Sequence, residues 1–275
     1  MVKILLMRHA QSEFNIKMNT MIESFKTDEL LHLTIPEQES LKKEIRFTPG
    51  GYNASITSNG RLQCQTAGAT LSLHPKIKRV FLSPLNRTIQ TFEESMQNHP
   101  NFLSNNIKIT FLPELRECTW SNCDLANIDE NTIKMSKNFK FPELYDWSFL
   151  KNYKDPKFWY LETGDKKHID YMRSLVGGID GEEKKLEALC GEMMRIFPRQ
   201  LESNDSLWEG SRKAGEMIRE AIREEGLEDE EVLVVAHCVR LRYLTASVFD
   251  EEDGKVPRVG FCKDFKNCEV VSFDF

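Results

Sequence analysis

The chain has 275 residues, 40% of them hydrophobic, and a formal net charge of −6, which is enough apolar material to give one large domain or two small ones a core. No apolar run approaches the length of a bilayer, and the N-terminal one is too short and too soon interrupted for a signal peptide, so a soluble cytoplasmic protein with no membrane partner is expected. The negative balance argues against a general nucleic-acid surface but leaves room for a local cationic pocket. Seven cysteines, Cys64, Cys118, Cys123, Cys190, Cys238, Cys262 and Cys268, lie without CxxC spacing, against both a zinc site and a disulfide framework.

Residues 2–7 read as a buried strand, with Lys3 the only polar residue before Arg8. Arg8 and His9 then stand at the carboxyl end of a strand, where open α/β sheets bind ligands. An arginine grips phosphate or carboxylate with two parallel hydrogen bonds, and an imidazole attacks electrophiles. Taken alone, the pair reads first as two surface cations at a strand end. The polar turn over residues 10–15 can bring backbone N–H groups and the Asn15 amide to a ligand. Residues 16–56 show no clear period beyond a short face of Met18, Met21, Ile22 and Phe25, and read as a long excursion interrupted at Pro36, Pro49, Gly50 and Gly51. Thr57 caps a helix that carries Leu62, Ala67 and Leu71, ends before Pro75 and is expected to pack on the first strand.

Residues 79–82 form a short strand. Ser83-Pro84 starts a helix, with serine as cap and proline at the first helical position. Arg87 then falls in the first turn, beside free N–H groups at a positive helix end that suits an anion; a plain helix-surface arginine is the alternative. Residues 107–112 alternate as a half-buried strand that Pro113 ends, and Glu114 and Glu117 follow it. From about 118 to 181 the pattern is irregular and aromatic, with lysines matched by acidic residues. An insertion packed over the sheet at its active-site end fits this better than a nucleic-acid surface. Helices are expected near 182–201 and 211–225, the second with Ala214, Met217, Ile218, Ala221 and Ile222 on one face and Gly226 at its end. Residues 232–236 are the most strand-like run of all, ended by His237, and Arg240, Leu241, Leu244 and Val248 continue as a helix. A last strand lies near 269–273. Of six histidines, only His9 and His237 end apolar strands. No internal repeat or linker appears, so the expected architecture is a single α/β domain over residues 1–275, a three-layer sandwich whose mostly parallel central sheet is flanked by helices, with the insertion at about 118–181.

In this order the segments resemble a known family. LLMRHAQSEFN is similar to the RHG signature of the histidine phosphatase, or phosphoglycerate-mutase-like, superfamily. ITSNGRLQCQTAGATL resembles its LTxxGxxQA helix, FLSPLNRTIQT its SPxxRxxQT segment, LPELRE its acid-bearing segment and VLVVAHCVRLRYL its second histidine segment. Within the insertion, PELYDWSFLKNYKDPKFWYLE faintly resembles eukaryotic branches of the superfamily. Ala10 and Cys238 stand where glycine is usual. The resemblance implies a phosphoglycerate-mutase-like fold and three catalytic groups: His9 as the nucleophile that forms a phosphohistidine, Glu117 as the acid that protonates the leaving alcohol, and His237. Arg8, Asn15, Arg87 and Cys238 surround the phosphate. Glu114 is the competitor of Glu117 for the acid. The function implied is a metal-independent phosphomonoester hydrolase without cofactor, acting on a phosphorylated small molecule or a phosphoprotein. Phosphoglycerate-mutase-type transfer and a weakly catalytic phosphate-binding protein are the alternatives.

Overall fold

The computed structural model describes residues 2–27, 30–48, 51–118, 121–125, 140–152, 169–196, 204–249 and 264–274. Its strands are β1 (Lys3–Arg8), β2 (Ile77–Leu82), β3 (Lys108–Phe111), β4 (Tyr145–Asp146), β5 (Glu231–Ala236) and β6 (Val270–Asp274). They form one sheet in the order β4-β3-β2-β5-β1-β6. All neighbours are parallel except β6, which runs antiparallel along β1.

Successive side chains of a strand point to opposite faces, and here both faces are cores. Leu5 and Met7 join Val80, Leu82, Leu233 and Val235 on one side, while Ile4 and Leu6 join Phe81, Val232 and Val234 on the other. The first face is covered by α3 (Ser58–Leu71) and α4 (Asn86–Met96), the second by α8 (Asn204–Glu225) and α9 (Cys238–Phe249). Burial on both sides is why these strands read as unbroken apolar runs, and the expected three layers are present. Helix α8 ends as foreseen, with Gly226 at φ +63° and the Leu227 N–H returning to the Ile222 carbonyl at 3.1 Å. Its start, at Asn204, lies ahead of position 211.

Several expectations are corrected. The stretch read as an excursion holds α1 (Glu13–Ser24) and α2 (Ile35–Arg46). The short helical face of Met18, Met21 and Ile22 lies on α1, where Met21 is the one buried residue, and α2 buries none, so α2 leaves no apolar period. Capping boxes, Ser12 with Asn15 and Thr34 with Glu37, close their first turns instead. On α3 the buried face is Gly60, Cys64, Ala67 and Leu71, and Leu62 points outward. A β-carbon on Gly60 would lie 2.4 Å from the Gln11 carbonyl oxygen, so the helix can approach the loop after β1 only through glycine. Helix α4 starts at Asn86, after Leu85, and not at Pro84. Ser83 is engaged by His237, and the Asn53 side chain caps the Asn86 N–H from a distance in sequence, at 2.7 Å.

Between α4 and β3 lies the single turn α5 (Pro100–Leu103), and α6 (Ile169–Gly177) and α7 (Glu182–Ile196) precede α8. The described middle of the insertion extends the edge of the sheet, and its Trp147, Phe149, Met172 and Val176 join the core on the first face. β4 pairs with β3, and Tyr145 and Trp147 stack on Phe111 with ring centroids 5.4 and 3.8 Å away. Glu93 of α4 ties this edge down by accepting from the Tyr145 hydroxyl and the Lys140 N–H, both at 2.8 Å. Phe139, Tyr153, Phe158, Trp159 and Tyr160, which the sequence reading counted with this insertion, lie outside the described residues. Among the described residues no helix is long and apolar enough to cross a membrane.

Candidate active site

Because β1, β5 and β2 are parallel neighbours in register, their carboxyl ends fall together, with Arg8 opposite Ala236 and Leu82 opposite Val235. The ladder continues for one more bond on each side, His9 N–H to Ala236 O at 2.9 Å and Ser83 N–H to Val235 O at 3.1 Å. His9, Ser83 and His237 therefore leave the sheet at one edge, and the two imidazole centroids are 5.0 Å apart.

His9 is buried, and its Nδ1 lies 2.7 Å from the Ala10 carbonyl oxygen. A carbonyl only accepts, so Nδ1 carries the hydrogen and Nε2 keeps the lone pair. Burial pushes the His9 pKa well below the usual histidine range, and the charges of Arg87 and Arg8 push it further. The loop behind it is braced by the helices whose motifs resembled a family signature. Thr91 accepts from the Ala10 N–H and Gln63 from the Gln11 N–H, each at 2.8 Å, while the Thr57 N–H donates to the Gln11 carbonyl at 2.9 Å. On the far side the Asn267 amide donates to the His9 carbonyl at 2.9 Å.

Two buried donor atoms at this edge have no partner among the described residues, Arg8 Nε and His237 Nδ1. Arg8 Nη1 is fixed on the Phe265 carbonyl at 2.7 Å. His237 Nε2 meets the Ser83 hydroxyl at 2.8 Å, and with that hydroxyl donating, Nδ1 bears the hydrogen. Buried polar atoms in folded proteins are nearly always paired, and an oxyanion between Arg8 and His237 satisfies both. Burial, followed by the charge of Arg87, also holds His237 well below its usual pKa.

Arg87 is clamped by the Cys123 carbonyl at 2.9 Å and the Asp124 carboxylate at 2.7 Å, with both side chains almost wholly buried. Asp124 in turn accepts from the Ser121 N–H and hydroxyl, each at 3.2 Å. Glu117 Oε1 accepts from the Cys118 N–H at 2.9 Å. Its carboxyl is raised above the usual range by burial first and then by the nearby Asp124 charge, against the pull of Arg87. Its rival Glu114 is buried as well but is bonded to Lys213 of α8 and is not among the residues that line the cavity at this edge. The segment bearing Glu117 is held by the buried Arg240, whose Nε donates to the Arg116 carbonyl at 2.8 Å.

These groups line a cavity of about 300 Å³. Of the residues singled out from sequence, Arg8, His9, Asn15, Arg87, Glu117 and Cys238 line it, and His237 lies fully buried against His9. Asn15 Oδ1 is occupied as a helix cap by the Ser12 N–H, which leaves its NH₂ group as the donor to a ligand. Cys238 is the first residue of α9, so a helix N-terminus borders the cavity. Sequence reasoning missed Asp124, and also Phe14, Met18 and Arg46, which line the outer part. The one sequence sign of Asp124 is the Ser121-x-x-Asp124 spacing of a capping box, which the structure confirms.

The family model described as histidine phosphatase superfamily (branch 1) matches residues 38–154, the span that carries the α3 helix, Arg87, Glu117 and Asp124. The match spans less than half of the chain and makes these segments similar to that superfamily. A search of curated proteins by sequence finds no match. Among solved structures, the chain is similar to the ecdysone phosphate phosphatase of Bombix mori in complex with tungstate, with a TM-score of 0.53 and 13% identity over 99% of this chain and 88% of that one. It is also similar to a phosphoserine phosphatase of Entamoeba histolytica, with a TM-score of 0.47 and 14% identity over 100% and 91% of the two chains. A mycobacterial glucosyl-3-phosphoglycerate phosphatase gives 0.49 and 13% over 99% and 92%. At such identities the likeness is one of fold, the phosphoglycerate-mutase-like sandwich. Where histidine phosphatases commonly carry glycine, Ala10 and Cys238 are accommodated without strain, since neither is among the residues with positive φ.

The Arg87–Asp124 pair makes a direct prediction. Asp124→Ala leaves a buried guanidinium without its counter-charge, and a loss of about 3–5 kcal/mol in urea unfolding is expected. Asp124→Asn keeps an acceptor and should lose less. An Asp124→Ala protein as stable as the parent contradicts the pairing.

Proposed function

We propose that the protein is a metal-independent phosphomonoester hydrolase that works through a phosphohistidine at His9. The observation that carries this reading is the tautomer of His9: Nδ1–H is spent on Ala10, and a buried, neutral Nε2 is left at the edge that Arg8 and Arg87 share. Nε2 attacks phosphorus, the P–O ester bond breaks, and Glu117 gives its proton to the departing alcohol. Arg8, Arg87 and the His237 Nδ1–H hold the equatorial oxygens as charge shifts among them. In the second half Glu117, now a carboxylate, takes a proton from water. The hydroxide equivalent displaces His9 from phosphorus and restores the starting enzyme. The raised Glu117 carboxyl suits the first role, because it holds its proton to a higher pH than an ordinary carboxylate. A cavity of about 300 Å³ takes a phosphorylated small molecule or one phosphorylated side chain of a protein.

The guanidinium groups of Arg8 and Arg87 supply the positive charge that a metal supplies in other phosphatases, and the His237 Nδ1–H adds a neutral donor. Release of inorganic phosphate from p-nitrophenyl phosphate should therefore survive exhaustive treatment with EDTA. Activity that disappears with EDTA and returns with magnesium or manganese would rule the mechanism out.

A further inference from the structure

Cys64, on the buried face of α3, and Cys268, in the turn before β6, meet sulfur to sulfur at 3.7 Å. Both are free thiols and neither takes part in the chemistry above. A disulfide is about 2.05 Å long, so closing the gap requires a shift of under about 2 Å, within reach of side-chain rotation and a small movement of one backbone.

The backbone that carries Cys268 is the one that grips the catalytic strand end. Phe265 accepts from Arg8 Nη1 at 2.7 Å, Asn267 donates to the His9 carbonyl at 2.9 Å, and the Cys268 N–H donates to the Arg8 carbonyl at 3.1 Å. Cys268 itself sits at φ +56°, a left-handed conformation that residues with a β-carbon adopt rarely and at a cost. The turn is thus held in place by the contacts around it. Cys268 keeps 9% of its surface exposed, which gives a small oxidant a way in, while Cys64 is wholly buried behind it. The hydrogen bond between the two sulfurs lowers the Cys64 pKa from its ordinary value, which favours the thiolate that reacts with peroxides.

We propose that Cys64 and Cys268 are an oxidation site: a peroxide converts them to a disulfide that draws the 265–268 turn toward α3 and loosens its hold on Arg8 and His9. The Cys64 sulfur attacks the peroxide O–O bond, taking one oxygen as a sulfenic acid and releasing the other as water. The Cys268 sulfur then attacks the sulfenic sulfur, the S–S bond forms, and the sulfenic oxygen leaves as a second water. Two thiols lose two electrons and two protons, and hydrogen peroxide is reduced to two waters. The effect on turnover rests on the function proposed above; the disulfide does not.

The test treats the folded full-length protein with hydrogen peroxide, blocks remaining thiols and maps peptides by mass spectrometry, with hydrogen–deuterium exchange on the same samples. A Cys64–Cys268-linked peptide is expected, together with faster amide exchange over residues 264–269 and a fall in kcat/KM on p-nitrophenyl phosphate of about tenfold or more. Dithiothreitol should reverse all three. Cys64→Ser and Cys268→Ser each remove the partner sulfur and should keep their activity through the same treatment. Absence of the linked peptide, or a linked peptide with unchanged exchange, overturns the proposal. So do serine variants as sensitive as the parent, which would place the vulnerable thiol elsewhere, at Cys238. If the reduced enzyme releases no phosphate from any ester, the function is what fails, and the linked peptide and the exchange rates still decide the oxidation site.

Discussion

His9→Ala is expected to lower kcat/KM on p-nitrophenyl phosphate by on the order of 10⁴-fold or more, since removal of a covalent nucleophile leaves only binding and charge stabilisation. The loss should fall on the chemical step and not on phosphate binding. Arg8 is held by the Phe265 carbonyl and Arg87 by Asp124 and the Cys123 carbonyl, and neither arrangement uses the imidazole. Inorganic phosphate should therefore still bind His9→Ala with an affinity within about tenfold of the parent. A variant that keeps a tenth of the activity would remove His9 from the role of nucleophile.

The second large effect separates leaving-group protonation from phosphate binding. Glu117→Gln cannot donate a proton, and acid–base catalysis is worth about 10²–10⁴-fold. That full factor is expected on an alkyl phosphate, whose alkoxide leaves poorly, with a much smaller loss on p-nitrophenyl phosphate. Arg87→Ala should impair both esters to a similar degree, because its guanidinium meets the phosphoryl oxygens whichever alcohol departs. The pH profile carries the same assignment. Turnover needs His9 neutral and Glu117 protonated. Burial and two arginines lower the His9 pKa, so the acid limb lies below the usual histidine range. Burial and Asp124 raise the Glu117 pKa, so the alkaline limb lies above the usual carboxylate range. Activity on alkyl esters should be highest between these two limbs, and Glu117→Gln should flatten the alkaline limb. Equal losses on the two esters, or leaving-group dependence in Glu114→Gln instead, would give the acid role to another residue.

What the sequence disclosed follows from what each element buries. β1 and β5 are covered on both faces, so their apolar runs and the histidines that end them were legible at once. Helices α1 and α2 bury almost nothing, so α1 showed only a short face and α2 none, although their capping residues were in view. The α3 face was misread because two of its four buried positions are Gly60 and Cys64, which a count of large apolar residues passes over. Ser83-Pro84 has the local chemistry of a helix start, but a long-range partner, His237, claims the serine hydroxyl. Glu114 and Glu117 were hard to separate for the same reason: the decision lies with Lys213 on α8, far along the chain. Asp124 was missed because its meaning depends on Arg87, which folding brings to it. The sheet edge at β4 is set by stacking on Phe111, a tertiary contact with no local signature.

The central claim is a covalent bond between phosphorus and His9. Its most direct test is rapid quenching of the parent enzyme during turnover, under conditions that preserve acid-labile phosphohistidine, followed by mass spectrometry of the peptides. Phosphate is expected on the peptide that carries Arg8 and His9, at the imidazole, and absent from His9→Ala. Phosphate on an aspartate or a cysteine, or turnover with no phosphoenzyme at any quench time, would contradict it.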